Sequence, residues 1–223
     1  MNACTFCRDP KHSRSVDDDA CEKDILHLQH YIDAFDGMNV NEFIIAGSDP
    51  CQLRYNLVNL VRYIYNKGYT VKNIQTHGRT FVDKALVQAL ASVNQGFKVI
   101  IPLYGDTKEL NDAIMRPLQG SAFDDAILAI RNCLDAGIRV DGNTRVLPEN
   151  RDRLDSIIQR FREAGVTTRV NIGRVYEIED KQDASRNMTL IEDLVERYPG
   201  YVRDIRSGKN SGPQLIINTT KME

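Results

Sequence analysis

The chain has 223 residues, enough for one large domain with a well-buried core or for two small ones. Its hydrophobic share of 42%, charged share of 27% and net charge of −2 are ordinary for a soluble globular protein, and the mixed signs give nucleic acid or an anionic membrane no basic field to bind. No apolar run reaches membrane-spanning length and no charged-then-apolar leader marks export, while five unevenly spaced cysteines argue for reduced thiols in a cytoplasm.

The first feature is MNACTFCRDP, which sets Cys4 and Cys7 three apart before any strand or helix. Three chemistries fit such a pair. Cys4, Cys7, His12 and Cys21 have the donor types of a tetrahedral zinc site, although Cys21 falls in the second turn of a helix pattern. A redox dithiol needs a strand before the motif and small residues inside it, and Thr5-Phe6 meets neither condition. An iron–sulfur cluster takes thiolates at this spacing but needs more than two of them. The bland alternative is that cysteine is simply a small buried residue, which suits Cys133 and Cys21.

The segment from Asp17 to Phe35 places Ile25, Leu28, Ile32 and Phe35 on one helical face, with Ser15 as cap, three aspartates in the first turn and Gly37 as stop. NEFIIAG reads as a buried strand, and Leu57, Leu60, Val61 and Ile64 mark the next helix, closed by Lys67-Gly68. YTVKNIQT is a weaker strand, followed by a helix near Val82–Ala91 and the strong strand FKVIIPL. A longer loop leads to a helix carrying Phe123, Ile127, Ile130 and Leu134, stopped at Gly137. IRVDGNTRV is a strand, Leu154, Ile157, Ile158 and Phe161 mark a helix, and TTRVNIG is a fifth strand before a helix around Thr189–Arg197. Alternation of this kind makes parallel strands with right-handed crossovers, either as an open doubly wound sheet or as a full or partial barrel. Ligands gather at the C-terminal strand ends in both. Those ends read AGSDP, QTHGR, PLYGD, NTRVLP and NIGRV, rich in Gly, Pro and polar residues.

Taken in order, these motifs resemble the radical S-adenosylmethionine (radical SAM) enzymes, whose signature is Cys-x-x-x-Cys-x-Φ-Cys with Φ aromatic. Cys4-Thr5-Phe6-Cys7 matches its second half. Gly47-Ser48-Asp49-Pro50 stands where the family has Gly-Gly-Glu-Pro, Thr76-His77-Gly78 where it has Thr-Asn-Gly, and Pro102-Leu103-Tyr104-Gly105 where it often has Ser-Leu-x-Gly. Arg116, Asn143 and Asn150 match further polar positions. Singly each is weak, but five in order at successive strand ends are specific. The resemblance implies an α/β fold, a partial (β/α)6 TIM-type barrel over residues 1–178, with 179–223 as a helix and tail that cover the barrel or bear on substrate choice.

It also implies a [4Fe–4S] cluster on Cys4 and Cys7 and a bound S-adenosylmethionine, cleaved to a 5′-deoxyadenosyl radical that takes hydrogen from a small-molecule or peptide substrate. A reductant such as flavodoxin or ferredoxin would supply the electron. By the same resemblance Phe6 lies against adenine, and Gly47, Ser48, Asp49 and Pro50 hold the amino group through main-chain carbonyls. Arg116 pairs with the carboxylate, a bidentate task suited to a planar guanidinium. Thr76 and Tyr104 belong to the flanking strand-end motifs, Asn143 reaches the ribose or methionine end, and Val170 or Ile172 borders adenine. Each also has a plainer reading, as turn residues for Gly47 and Pro50, a helix cap for Asp49 and a solvated charge for Arg116. His77 departs from the family asparagine, and Asp17–Asp19 read as a helix-start charge cluster.

Family spacing puts the first cysteine one position before Met1 and the first barrel strand upstream of it. The resemblance therefore implies a chain that begins inside the motif, lacking one ligand and an edge strand. Alternatives are a natural clusterless binding protein of the same fold, or a last ligand from Cys51, Cys21 or another molecule. Near the C-terminus, SGPQLIIN reads as a run that adds a strand or covers the barrel mouth.

Overall fold

The computed structural model describes residues 2, 4, 18–47, 49–166, 170–173, 196 and 215–218. Six helices and six strands follow one another as α1 (Asp18–Asp33), β1 (Glu42–Ala46), α2 (Tyr55–Asn66), β2 (Thr70–Gln75), α3 (Lys84–Ala91), β3 (Lys98–Pro102), α4 (Lys108–Met115), α5 (Ala122–Asp135), β4 (Arg139–Arg145), α6 (Leu154–Glu163), β5 (Val170–Gly173) and β6 (Leu215–Asn218). Three of the helices begin on a side-chain cap. Asp83 accepts from the Ala85 and Leu86 amides, Thr107 from Leu110 and Ser121 from Asp124, each worth about 1 kcal/mol.

The strands form one sheet in the order β5-β4-β3-β2-β1-β6, and every neighbouring pair is parallel. Side chains alternate across it, with one irregularity where β1 meets β2, so that both Val71 and Ile74 face the helices. Phe43, Ile45, Val71, Ile74, Val99, Ile101 and Val140 join Leu28, Leu57, Leu86, Ile130 and Phe161 from five helices in a single apolar core. At spacing i, i+3, i+4 and i+7, Leu154, Ile157, Ile158 and Phe161 bury one stripe of α6, each side chain contributing about 1.5–3 kcal/mol. Gly142 shows how closely α6 lies on β4, since a Cβ there would stand 2.9 Å from the Phe161 ring.

The opposite face is polar. Register puts Asn73 beside Lys98, Ile100 beside Asp141, and Pro102 beside Asn143 and Asn171. The Lys98 ammonium pairs with the Asp141 carboxylate near the N-terminal ends of β3 and β4. Gln75 lies at the C-terminal end of the central strand β2 and is nevertheless exposed. Helices on one face and a polar inner wall on the other make an open partial barrel, the expected alternative to a doubly wound sheet.

Two elements differ from expectation. α4 occupies the segment read from sequence as loop. The edge of β1 next to which no strand was expected carries β6, with Phe43 opposite Leu215 and Ala46 opposite Asn218. The expected helix at Thr189–Arg197 and the Ser15 cap lie outside the described residues, apart from Glu196, which is helical. Among the described residues no helix is long and apolar enough to cross a membrane.

Candidate functional site

Beyond the C-terminal ends of β3 and β4, Tyr104 and Leu147 join Ile114 and Met115 of α4 and Ala122 of α5 in a second small apolar cluster, against which the half-buried Cys4 packs. After β1 the chain turns at the exposed Gly47 with φ 145°, a conformation that side-chain-bearing residues rarely adopt. Asp49 follows, buried to 8%, and it ties the ends of β1 and β2 together. Its Oδ1 accepts from the Cys51 amide at 3.1 Å and the Thr76 hydroxyl at 2.7 Å, and its Oδ2 accepts from the His77 amide at 3.3 Å. The Thr76 hydroxyl in turn accepts from Gly78 N at 3.0 Å, and Gly78 takes φ 84° with Ala129 close beneath it. Asp49 is thus both the cap of the 3₁₀ turn that starts at Pro50 and the clasp between two strand-end loops.

Tyr104 is fixed through its main chain. Asn111 Oδ1 accepts from Tyr104 N at 2.8 Å and Gly105 N at 3.3 Å, and Asn150 Nδ2 donates to Tyr104 O at 2.9 Å. Gly105 is required by close approach, because a Cβ there would stand 2.4 Å from Asn111 N. Asn150, fully buried, also accepts from Leu147 N and donates to Arg145 O, so its hydrogen-bonding capacity is spent on these loops. Asn143 is half-buried on the inner face, and its side-chain amide has no hydrogen-bond partner among the described residues. In the backbone register Val170, Asn171 and Ile172 pair with Gly142, Asn143 and Thr144.

Arg116 ends α4 in the left-handed region, φ 47° and ψ 64°. It and Arg54 are the described non-glycine residues with positive φ. Arg54 pairs with Asp83 at 3.4 Å, whereas the exposed Arg116 guanidinium has no ion-pair partner among the described residues. Pro117, next in the chain, bridges antiparallel to Asn2, two residues before Cys4. Asp49, Thr76 and His77 are joined by hydrogen bonds across the ends of β1 and β2, Cys4 packs against the cluster of Tyr104, Arg116 ends α4 and Asn143 lies on β4. Phe6, Cys7 and Ser48 lie outside the described residues.

Neither a family model nor a curated protein sequence matches the chain. Solved structures do. Native anSMEcpe with bound AdoMet superimposes with a TM-score of 0.61 at 16% identity, over 91% of this chain and 60% of that one. Streptococcus suis SuiB bound to S-adenosylmethionine does so at 0.58 and 15%, over 97% and 48%. A radical SAM methyltransferase from Sphaerobacter thermophilus gives 0.53 and 14%, over 98% and 63%. The fold is that of the radical SAM enzymes. The chain spans 48% to 63% of the length of these three structures.

The resemblance implies two bound groups, S-adenosylmethionine and a [4Fe–4S] cluster. Groups of the kind S-adenosylmethionine would need are present: Gly47 turns in the open after β1, Arg116 ends α4 without an ion-pair partner among the described residues, and the Asn143 amide on β4 has no hydrogen-bond partner among them. For the cluster, Cys4 is the described thiol at the site, and no group of three or more metal-ligating side chains forms among the described residues. Cys51 directly follows Pro50 after β1. It is fully buried in the main core, and burial with the neighbouring Asp49 pushes its thiol well above the ordinary range, against the thiolate a metal needs. Of the zinc set, Cys21 lies within α1, and Cys7 and His12 fall outside the described residues. Sequence reasoning passed over Gln75, Asn111 and Arg79. Arg79 follows the Thr76–Gly78 turn directly, which was the available signal.

Proposed function

We propose that this protein binds S-adenosylmethionine at the C-terminal ends of its strands, beside a [4Fe–4S] cluster held in part by Cys4 and Cys7, as a radical SAM enzyme. The observation that carries the reading is Arg116, a solvent-facing cation in a costly backbone conformation at the end of α4, in the loop after β3. When bound, the reduced cluster would supply the electron that cleaves the sulfonium and yields a 5′-deoxyadenosyl radical.

The protein's own part is positional. Gly47 opens the end of β1 so that main-chain carbonyls can approach an amino group without a side chain in between. Asp49 and Thr76 hold that turn against β2. Arg116 offers a fork of donors to a carboxylate. Asn143 presents an amide to ribose hydroxyls, and Val170 or Ile172 would border adenine. Phe6 would stack on adenine. Gln75 and the inner wall below it are the place for a substrate, and peptides accompany two of the similar structures, SuiB bound to precursor peptide SuiA and anSMEcpe with Cp18Cys peptide. A peptide or small polar molecule is the substrate class this supports, with flavodoxin or ferredoxin as reductant.

A second reading is a clusterless binding protein of the same fold. Anaerobic reconstitution separates the two. About four irons per chain, with 5′-deoxyadenosine formed under reduction, supports the enzyme. S-adenosylmethionine binding without iron supports the second reading, and absence of both refutes the proposal.

A further inference from the structure

We infer that Arg79 is a positioning residue that fastens the cysteine segment to the loop of Arg116; its value for function rests on the cofactor reading above. The guanidinium is mostly buried, with 15% of the side chain exposed, and its donors reach three separate segments. Nε donates to Asp125 Oδ2 on α5 at 3.0 Å, Nη1 donates to Asn2 Oδ1 at 3.0 Å, and Nη2 donates to the Gln119 carbonyl. Asn2 precedes Cys4 by two residues, and Gln119 follows Arg116 by three. The Asn2–Pro117 bridge joins the same two segments through the main chain.

The planar fork matters here more than the charge. Asp125 anchors one edge of the guanidinium to a helix of the main core, which aims the other two nitrogens outward in fixed directions. Asn2 must then present its oxygen to Arg79, and its Nδ2 is left buried without a partner among the described residues. Among the described residues Arg79 is therefore the side-chain tie of this segment, beside the main-chain bridge of Asn2 and Pro117. A lysine at 79 keeps a cation for Asp125 but cannot reach Asn2 and Gln119 at once.

The test is the rate at which iodoacetamide alkylates each cysteine of the full chain, read by peptide mass spectrometry in Arg79→Lys and Asn2→Ala. Cys51 and Cys133 are fully buried and act as internal controls. Labelling of Cys4 is expected to rise about tenfold or more in both variants while the two controls stay protected, because only a local opening is released. Isothermal titration with S-adenosylmethionine is expected to show affinity falling about tenfold in Arg79→Lys. Cys4 labelling within twofold of the parent in both variants overturns the inference. Should Arg79→Lys also expose Cys51 or Cys133, the variant has unfolded and Asn2→Ala decides alone. Faster Cys4 labelling in a parent that binds no S-adenosylmethionine supports the clamp and sinks the cofactor reading.

Discussion

Replacing Arg116 by glycine separates two roles that the structure combines in one residue. A non-glycine residue at φ 47° and ψ 64° sits in the left-handed region, which costs roughly 1–2 kcal/mol. Glycine removes that strain but adds unfolded-state freedom worth about 0.4–1 kcal/mol. No described ion pair is lost, so Arg116→Gly is expected to leave stability unchanged or raise it by about 1 kcal/mol. If the guanidinium holds the carboxylate of S-adenosylmethionine, the same change removes charge-assisted hydrogen bonds worth about 1.5–3 kcal/mol, roughly a 10- to 150-fold loss of affinity. Arg116→Lys keeps the charge without the fork and falls between. Urea denaturation and isothermal titration on the same preparations read the two quantities. Stability and affinity should move in opposite directions, which a generally damaged protein does not do. Affinity within twofold of the parent would refute the assignment and leave Arg116 as a helix terminus.

Asp49→Ala strands the buried Cys51 amide and Thr76 hydroxyl without an acceptor and is expected to cost about 2–5 kcal/mol in urea denaturation; a loss below about 1 kcal/mol would show that the clasp is not formed. Gly142→Ala forces a methyl group against the buried Phe161 ring and should cost about 1–3 kcal/mol, partly recovered by the double variant with Phe161→Leu; additive losses would mean that the two do not touch. Ile216→Pro together with Ile217→Pro must delete a ladder donor, because neighbouring strand amides point to opposite sides. Hydrogen exchange at 43–46 should then accelerate, and unchanged exchange would mean that β6 does not pair with β1. Tyr63 and Lys67 hydrogen bonds hold the Asp33 carboxyl below its ordinary value, and those of Lys67 and Tyr69 do the same for Asp36. A lowered folded value gives stability that is present above the unfolded pKa and lost as pH falls through the folded one. In Lys67→Ala the acid-unfolding midpoint is therefore expected to move to higher pH, and an unmoved midpoint would refute the coupling.

The strand-then-helix alternation was legible because each helix carries its apolar residues at 3.6-residue spacing and most stop at glycine, as at Gly37, Gly68, Gly137 and Gly165. α4 was missed because its eight residues bury only Asn111, Ile114 and Met115, too few to show a period, although the Thr107 cap was available. LIIN was legible as a strand, but its place beside β1 was not, since pairing between positions about 170 residues apart leaves no local pattern. At the site, Gly47, Thr76 and Arg116 could be read from motif order. Asn111 and Asn150 could not, because a buried amide that fastens two loops looks in sequence like any surface asparagine. Arg79 was hidden for the same reason.

What separates a partial barrel from a doubly wound sheet here is the inner face, and its chemistry also locates the site. Parallel sheets are normally covered on both sides, so their strands are apolar on both sides. In β2 and β4 the helix-facing positions are Val71, Ile74, Val140, Gly142 and Thr144, while the inner positions are Asn73, Gln75, Asp141, Asn143 and Arg145. A second helix layer over those residues would strand amides and charges at about 1–3 kcal/mol each. The sheet therefore keeps this face for water or a ligand. Near the N-terminal ends of the strands the wall is closed by the Lys98–Asp141 pair, whose aspartate is 2% exposed. Near the C-terminal ends it opens at the exposed Gln75 on β2, next to the turn of Gly47, and Asn143 stands further along the wall on β4. A ligand must enter from that end, and the groups it meets first are neutral amides able both to donate and to accept. Such a wall favours an occupant with paired donors and acceptors over an apolar one.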